Sequence, residues 1–133
     1  MLKDTRAGAM IPTQDLARAK EFYEGKLGLT PEDDPGGVLY RCAEGTAFAV
    51  FLSSGKTSGT HTQLGFDVDD IDAEVSSLAA RGITPDPVDI PGATVENGIV
   101  TLPDGSGRGI WFRDPDGNVI GVFQRAAVPA TTS

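Results

Sequence analysis

The sequence predicts an α+β fold in which a unit of one strand, one helix and further strands occurs twice. After the first predicted helix, Gly28 to Glu32 has the sequence GLTPE, and Gly82 to Asp86 repeats it as GITPD at an offset of 54 in the numbering. Farther along, Gly45 to Leu52 (GTAFAVFL) resembles Gly117 to Gln124 (GNVIGVFQ) at an offset of 72. These pairs and the matching starts of the two helices occur in the same order, which indicates an internal duplication.

The two helices are marked by capping residues and by apolar periodicity. Asp15 is a good N-cap residue, apolar side chains follow it at helical spacing, and Gly28 supplies the stop. The second helix begins at Asp70, at an offset of 55 from the first start, and ends at Gly82. Each half of the chain therefore contains one helix with an apolar face.

The remaining regular segments are predicted to be strands, the last two joined as a hairpin by the turn Asp114–Asn118. His61 to Val68 alternates polar and apolar residues, as expected of a half-buried strand. The increase in offset from 54 to 72 means that the second half is longer, and we place its extra residues within the turn-rich stretch 90–109. The predicted strands are Arg6–Pro12, Val38–Cys42, Ala47–Leu52, His61–Val68, Gly109–Arg113 and Val119–Gln124.

Length and charge limit the class of protein. A chain of 133 residues is long enough for one hydrophobic core, and 39% hydrophobic residues are typical of a folded protein. With 11 Lys and Arg against 19 Asp and Glu, the net charge is -8, which argues against binding to nucleic acids and to anionic membranes. The acidity is compatible with a cationic ligand, although solubility alone also explains it. The chain has no long apolar run that could span a membrane and no apolar leader, so we expect a cytoplasmic protein.

The chain has one cysteine, Cys42, and one histidine, His61. An intrachain disulfide and a zinc site built from Cys and His are therefore excluded by counting. Cys42 and His61 could form a nucleophile–base pair, but a buried structural cysteine is the favoured interpretation. For His61 three interpretations stay open: an exposed side chain, a ligand-binding residue and a lone general base.

The repeated unit, with Phe22-Tyr23 in the first helix and the segment Phe112–Asn118 before the last strand, resembles the vicinal oxygen chelate superfamily. This superfamily contains glyoxalase I, extradiol dioxygenases and the fosfomycin-resistance and bleomycin-resistance proteins. The resemblance implies a glyoxalase-like fold of two tandem βαβββ modules whose curled mixed sheets form a cup with the helices outside. It places a single domain at 1–126, with module one at about 6–53 and module two at about 61–125, followed by a flexible tail at 127–133.

The resemblance also implies where a metal ion would bind. In metal-using members, four ligands come from the first and last strands of the two modules, and the corresponding positions here are Gly8, Ala49, Gln63 and Gly121. Only Gln63 can coordinate a metal through its side chain, so we expect no metal cofactor. A metal-dependent glyoxalase, lyase or dioxygenase of the same superfamily is the alternative. A metal site shared between the subunits of a dimer also stays open.

Side chains that alternate with these four positions are expected to form the wall of the cup. We therefore expect a protein that binds a small organic molecule without chemistry, similar to bleomycin-resistance proteins, and that forms a homodimer. The aromatic side chains could instead belong to the core or to the dimer interface. No catalytic residue is assigned. The candidate ligand-binding residues are Arg6, Met10, Tyr40, Phe51, His61, Gln63, Trp111 and Phe123.

Overall fold

The computed structural model describes residues 1–126, and the predicted flexible tail at 127–133 lies outside the described residues. Two helices and nine strands alternate along this part of the chain, with short 3-10 turns at Leu2–Asp4 and Ala43–Gly45. The elements are β1 (Ala9–Thr13), α1 (Leu16–Lys20) with a π-helical continuation (Glu21–Lys26), β2 (Pro31–Asp34), β3 (Gly37–Arg41), β4 (Ala47–Leu52), β5 (Thr62–Asp67), α2 (Ile71–Ala80), β6 (Thr94–Glu96), β7 (Ile99–Thr101), β8 (Gly107–Arg113) and β9 (Val119–Arg125).

Both helices begin and end as the capping residues predict. The carboxylates of Asp15 and Asp70 each accept a hydrogen bond of 3.1 Å from the backbone N–H three residues later. This bond satisfies one of the donors that a helix leaves unpaired at its N-terminus. Gly28 and Gly82 follow the helices with φ angles of 73° and 81°, a conformation that glycine adopts without strain.

The first sheet has the strand order β1-β4-β3-β2, with β1 parallel to β4 and the other neighbours antiparallel. The helix covers one face of this sheet through Tyr23, whose ring lies 5.6 Å from those of Tyr40 and Phe48. All three side chains are buried and form the aromatic centre of the core.

The second sheet has the strand order β5-β9-β8-β7-β6. Its outermost strands, β6 and β7, form a tight hairpin in which Asn97 and Gly98 have φ angles of 54° and 80°. This geometry is that of a two-residue turn with both central residues in the left-handed region, for which Asn-Gly is the preferred sequence. The second copy of the unit therefore has one more strand than the first.

Strand pairing locates the extra residues of the second half. Gly37 pairs with Asp34 and Gly109 pairs with Val100. Gly37 and Gly109 have an offset of 72, whereas their partners Asp34 and Val100 have an offset of 66. Just before β2 the offset between the two copies is still 54. Two thirds of the extra residues therefore precede β7 and include β6, and the remaining third lies in the loop between β7 and β8. The predicted stretch 90–109 covers only part of this region.

The chain divides into two units. Within the described residues, the first comprises Met1–Leu64 and Arg113–Val119, and the second comprises Gly65–Phe112 and 120–126. The turn between β8 and β9 thus belongs with the first sheet. The α+β fold with two copies of the unit is confirmed, whereas the module boundaries stay predictions. Neither helix within residues 1–126 has the length and hydrophobicity required to span a membrane.

Candidate functional site

The face of the first sheet that is turned away from α1, hereafter the open face, carries a cavity of 950 Å³. Met10, Ala49 and Leu39 are paired in register across three strands and therefore point to this same face. The cavity is lined by Arg6, Ala7, Gly8, Ala9, Met10, Asp34, Leu39, Arg41, Gly45, Thr46, Ala47, Phe48 and Ala49.

Small residues create the space on this face. Gly8, Ala47 and Ala49 have no side-chain atom beyond Cβ, and a Cβ placed on Gly8 would have the Ala47 carbonyl oxygen, at 3.9 Å, as its neighbour. Met10, at the edge of the cavity, is 63% exposed although its side chain is apolar. A floor of small residues with an exposed apolar side chain beside it is suited to contact with an organic molecule.

Three charged side chains line the cavity. Arg41 forms an ion pair with Glu32. The side chains of Arg6 and Asp34 make no hydrogen bond or ion pair to any other residue between 1 and 126. The charge of Arg41 is thus compensated within this part of the chain, whereas the charges of Arg6 and Asp34 are not.

Arg6 and Met10, two of the predicted site residues, line the cavity, and Phe51 lies on the same face two residues after Ala49. Tyr40 does not line the cavity, and the prediction that it forms part of the cup wall is wrong. It pairs with Phe48 on the helix-covered face, is 0% exposed, and donates a hydrogen bond of 3.0 Å from its hydroxyl to Glu24 Oε2. Burial first, and the Glu24 carboxylate second, raise the pKa of Tyr40.

His61 and Gln63 are near the start of β5, outside the lining of the cavity. His61 is exposed, and the Oε1 atom of Gln63 accepts a hydrogen bond of 2.6 Å from the Thr57 hydroxyl. Cys42 is half-buried, and burial raises the pKa of its thiol, which disfavours the thiolate that a nucleophile requires.

The residues at the family's metal positions do not fit a divalent cation. In the first unit, Gly8 and Ala49 offer no donor side chain, and the Gln63 oxygen already accepts from Thr57. In the second unit, Gly121 offers none either. Across residues 1–126, no group of three or more His, Cys, Asp or Glu side chains is arranged to hold a metal ion. Side-chain donors at these positions are too few for the coordination shells that such ions need.

The corresponding face of the second sheet is covered by aromatic side chains and is called the aromatic face. Trp111 and Phe123 pack edge to face, with ring centroids 5.4 Å apart. The Phe123 ring lies over two glycines, since a Cβ on Gly109 would come within 2.7 Å of its Cδ1 atom and a Cβ on Gly65 within 3.5 Å of its Cε2 atom. Beside the ring is a cavity of 230 Å³, lined by Leu102, Ser106, Gly107, Arg108, Phe123, Gln124 and Arg125.

The turn Asp114–Asn118 is built around one buried carboxylate. Asp114 accepts hydrogen bonds of 2.7 Å from the Tyr23 hydroxyl and from Asn118 Nδ2, and of 2.9 Å from the backbone N–H groups of Asp116 and Asn118. Burial first, and the Asp114 carboxylate second, raise the pKa of Tyr23. The carboxylate thus connects the turn to the helix that covers the first sheet.

The same turn also holds the connection between β1 and α1. Asp116, whose side chain is 5% exposed, accepts from the Thr13 hydroxyl at 2.6 Å and from Arg18 Nη2 at 2.9 Å. Asn118 Nδ2 donates to the Pro12 carbonyl at 2.9 Å. The sequence motif that carries most of the family resemblance therefore has a structural role here.

A model of the Glyoxalase/Bleomycin resistance protein/Dioxygenase superfamily matches residues 7–122. The chain belongs to this superfamily. The match covers both copies of the repeated unit, in agreement with the family resemblance of the sequence. A search of curated proteins found no match.

Several solved structures have a similar fold. TnmS3, an antibiotic binding protein from Streptomyces sp. CB03234, is 26% identical, with a TM-score of 0.65 over 92% of this chain and 98% of that chain. A bleomycin resistance determinant encoded on the transposon Tn5 is 19% identical, with a TM-score of 0.66 over 92% and 99% of the two chains. The fosfomycin resistance protein FosX from Listeria monocytogenes is 14% identical, with a TM-score of 0.68 over 92% and 94%. The last two likenesses concern the fold alone.

Proposed function

We propose that this superfamily member binds a small organic molecule on the open face of the first sheet, without a metal ion and without chemical conversion. The observation that carries the proposal is the cavity of 950 Å³ above Gly8, Ala47 and Ala49. Gly8 and Ala49, which stand at two of the family's metal positions, offer no donor side chain there. Cavities that bind small molecules usually measure about 300–1,000 Å³.

The lining supports binding rather than catalysis. Met10 and Leu39 offer apolar contact area on either side of Ala49, and a methionine side chain adapts to ligands of different shape. The lining contains no histidine, which is the commonest general base, and no serine or cysteine that could act as a nucleophile. The likeness to an antibiotic binding protein points in the same direction.

The proposal is tested with N-phenyl-1-naphthylamine, a neutral apolar dye whose fluorescence rises on binding. Protein dialysed against EDTA should bind the dye, and Ala49→Phe, which fills the floor, should weaken binding by about tenfold, the equivalent of about 1.4 kcal/mol. Ala17→Phe is the matched control, because Ala17 is exposed on α1 and lies outside the cavity lining. Near-ultraviolet circular dichroism verifies that both variants are folded.

Two results would overturn the proposal. Equal binding by the wild type and Ala49→Phe would exclude the open face as the site. Binding that requires an added divalent metal and disappears in Gln63→Ala would instead support a metal-dependent glyoxalase, lyase or dioxygenase. Metal content by mass spectrometry of the freshly purified protein provides the independent measurement.

A further inference from the structure

Two charged side chains line the cavity from opposite edges of the first sheet. Arg6 lies three residues before β1, and Asp34 is the last residue of β2. The strand order β1-β4-β3-β2 makes these two strands the edges of the sheet. Three strand spacings therefore separate the edges, which amounts to about 14 Å across the strands. Along the strands, Asp34 is level with Pro12, six residues after Arg6, which adds about 20 Å and places the two residues at diagonal corners of the sheet. Neither side chain is paired with another residue in the described part of the chain.

The third charge in the lining is compensated. Glu32 pairs in register with Leu39 and so points to the open face, where it forms the ion pair with Arg41. One positive group at the β1 edge and one negative group at the β2 edge thus stay available to a ligand. Between the two edges lies an apolar row formed by Met10, Ala49 and Leu39.

We propose that the ligand of this site is an elongated, charge-separated molecule with an apolar middle, an anionic group that Arg6 binds and a cationic group that Asp34 binds. This inference rests on the proposed function. The net charge of -8 does not determine the charge of the ligand, because exposed charges more than about 8 Å from it are largely screened at physiological ionic strength. The groups in the lining decide which ligand charges are favoured.

The test combines three matched ligands with two variants. The ligands are 12-aminododecanoate, dodecanoate and dodecylammonium, each titrated against bound N-phenyl-1-naphthylamine at concentrations below micelle formation. Arg6→Gln should weaken the two carboxylates about threefold and leave dodecylammonium unchanged, as expected for one exposed ion pair. Asp34→Asn should weaken the two ammonium compounds about threefold and leave dodecanoate unchanged.

Two control variants make the same changes of charge outside the cavity. Lys20→Gln lies at the end of α1, which covers the other face of the sheet, and Asp33→Asn lies next to Asp34 in β2. Asp33 pairs with the buried Val38 and therefore points away from the open face. Neither control should change the affinity for any of the three ligands.

The outcomes separate the two proposals. If the dye binds and Ala49→Phe removes it, but Arg6→Gln and Asp34→Asn act on all three ligands alike or on none, the assignment of charges is wrong and the apolar site stands. If the dye does not bind to the wild type, the proposed function fails and the charge assignment fails with it. Equal effects of a variant and its control would also overturn the assignment.

Discussion

The open face of the first sheet and the aromatic face of the second differ although the chain repeats itself. At equivalent positions of the two copies, Leu39 corresponds to Trp111 and Phe51 to Phe123. The first sheet leaves a cavity of 950 Å³, whereas the indole of Trp111 packs against Phe123 in the second, with a cavity of 230 Å³ beside it. The two faces therefore differ in the side chains at equivalent positions, and the second sheet also has one more strand.

Glycine has opposite effects on the two faces. Gly8 leaves space empty on the first sheet, where its nearest neighbour for an added Cβ is 3.9 Å away. At Gly109 the Phe123 ring already occupies the volume that a Cβ would need, so the missing side chain permits close packing. A glycine in a strand can thus mark either a binding surface or a close approach of packed atoms.

The largest expected effect is on the framework of the first unit. Asp114→Ala removes a buried acceptor of four hydrogen bonds, including that of Tyr23, and should lower the free energy of unfolding in urea by about 3–5 kcal/mol. Asp104→Ala is the control, since this exposed carboxylate accepts a backbone hydrogen bond from Ser106 in another turn. Similar losses in the two variants would contradict the role assigned to Asp114.

The second effect concerns the aromatic face. Gly109→Ala places a methyl group 2.7 Å from Phe123 Cδ1, and we expect a loss of about 1–3 kcal/mol in unfolding free energy, as for other overpacked sites. Gly65→Ala meets the same ring at 3.5 Å, an ordinary contact, and should change stability much less. The fluorescence of Trp111, the single tryptophan, reports the displacement of its neighbour. If both alanines are tolerated equally, Phe123 is not held as described.

An exchange of side chains tests the comparison directly. Leu39→Trp puts the aromatic residue of the second sheet on the open face, beside Ala49, and should weaken binding of N-phenyl-1-naphthylamine about tenfold. Trp111→Leu removes the partner of Phe123 and should add a second, weaker dye site. Fluorescence titration measures both affinity and stoichiometry. Unchanged titrations in both variants would show that these two positions do not control access.

The smallest expected effect concerns the ionisation of the two tyrosines, which should stay protonated in the native protein near pH 10. Both tyrosines lie in the first unit, and burial raises the pKa of each above its ordinary value of 10.0. Because the folded-state pKa exceeds the unfolded one, the stability that these hydroxyls contribute is complete below pH 10 and is lost as the pH rises above it. Near pH 10, absorbance at 295 nm should show no tyrosinate in the native protein, whereas in urea each of the two tyrosines should be about half ionised, because the ordinary pKa is 10.0. Ionisation of one tyrosine at pH 10 without unfolding would contradict the buried placement.

Local signals predicted most of the fold. Asp15 and Asp70 accept hydrogen bonds from the first turns of their helices, so these residues and the apolar periodicity after them locate the helix starts. The acidic strand β2 (PEDD) was not predicted, because exposed edge residues show no apolar alternation. The hairpin of β6 and β7 was also missed as a pair of strands, although its Asn97-Gly98 turn was recognisable.

The candidate site was predicted less completely than the fold. Alternation along one strand correctly grouped Ala47, Ala49 and Phe51, but it cannot relate that strand to its neighbour. The register of β3 against β4 pairs Tyr40 with Phe48 and Leu39 with Ala49. Leu39 therefore lies on the open face, where Tyr40 was expected. Asp34 and Arg41 reach the cavity through the same pairing, so no signal within a single strand could identify them.

The turn Asp114–Asn118 has a counterpart in the first copy of the unit, Cys42–Thr46, and the two share a backbone hydrogen bond from the first residue to the fifth, at 3.1 Å and 2.8 Å. The later copy holds the framework through Asp114, whereas Gly45 and Thr46 of the earlier copy border the cavity. One hairpin turn, present twice, therefore stabilises the framework in one copy and borders the cavity in the other.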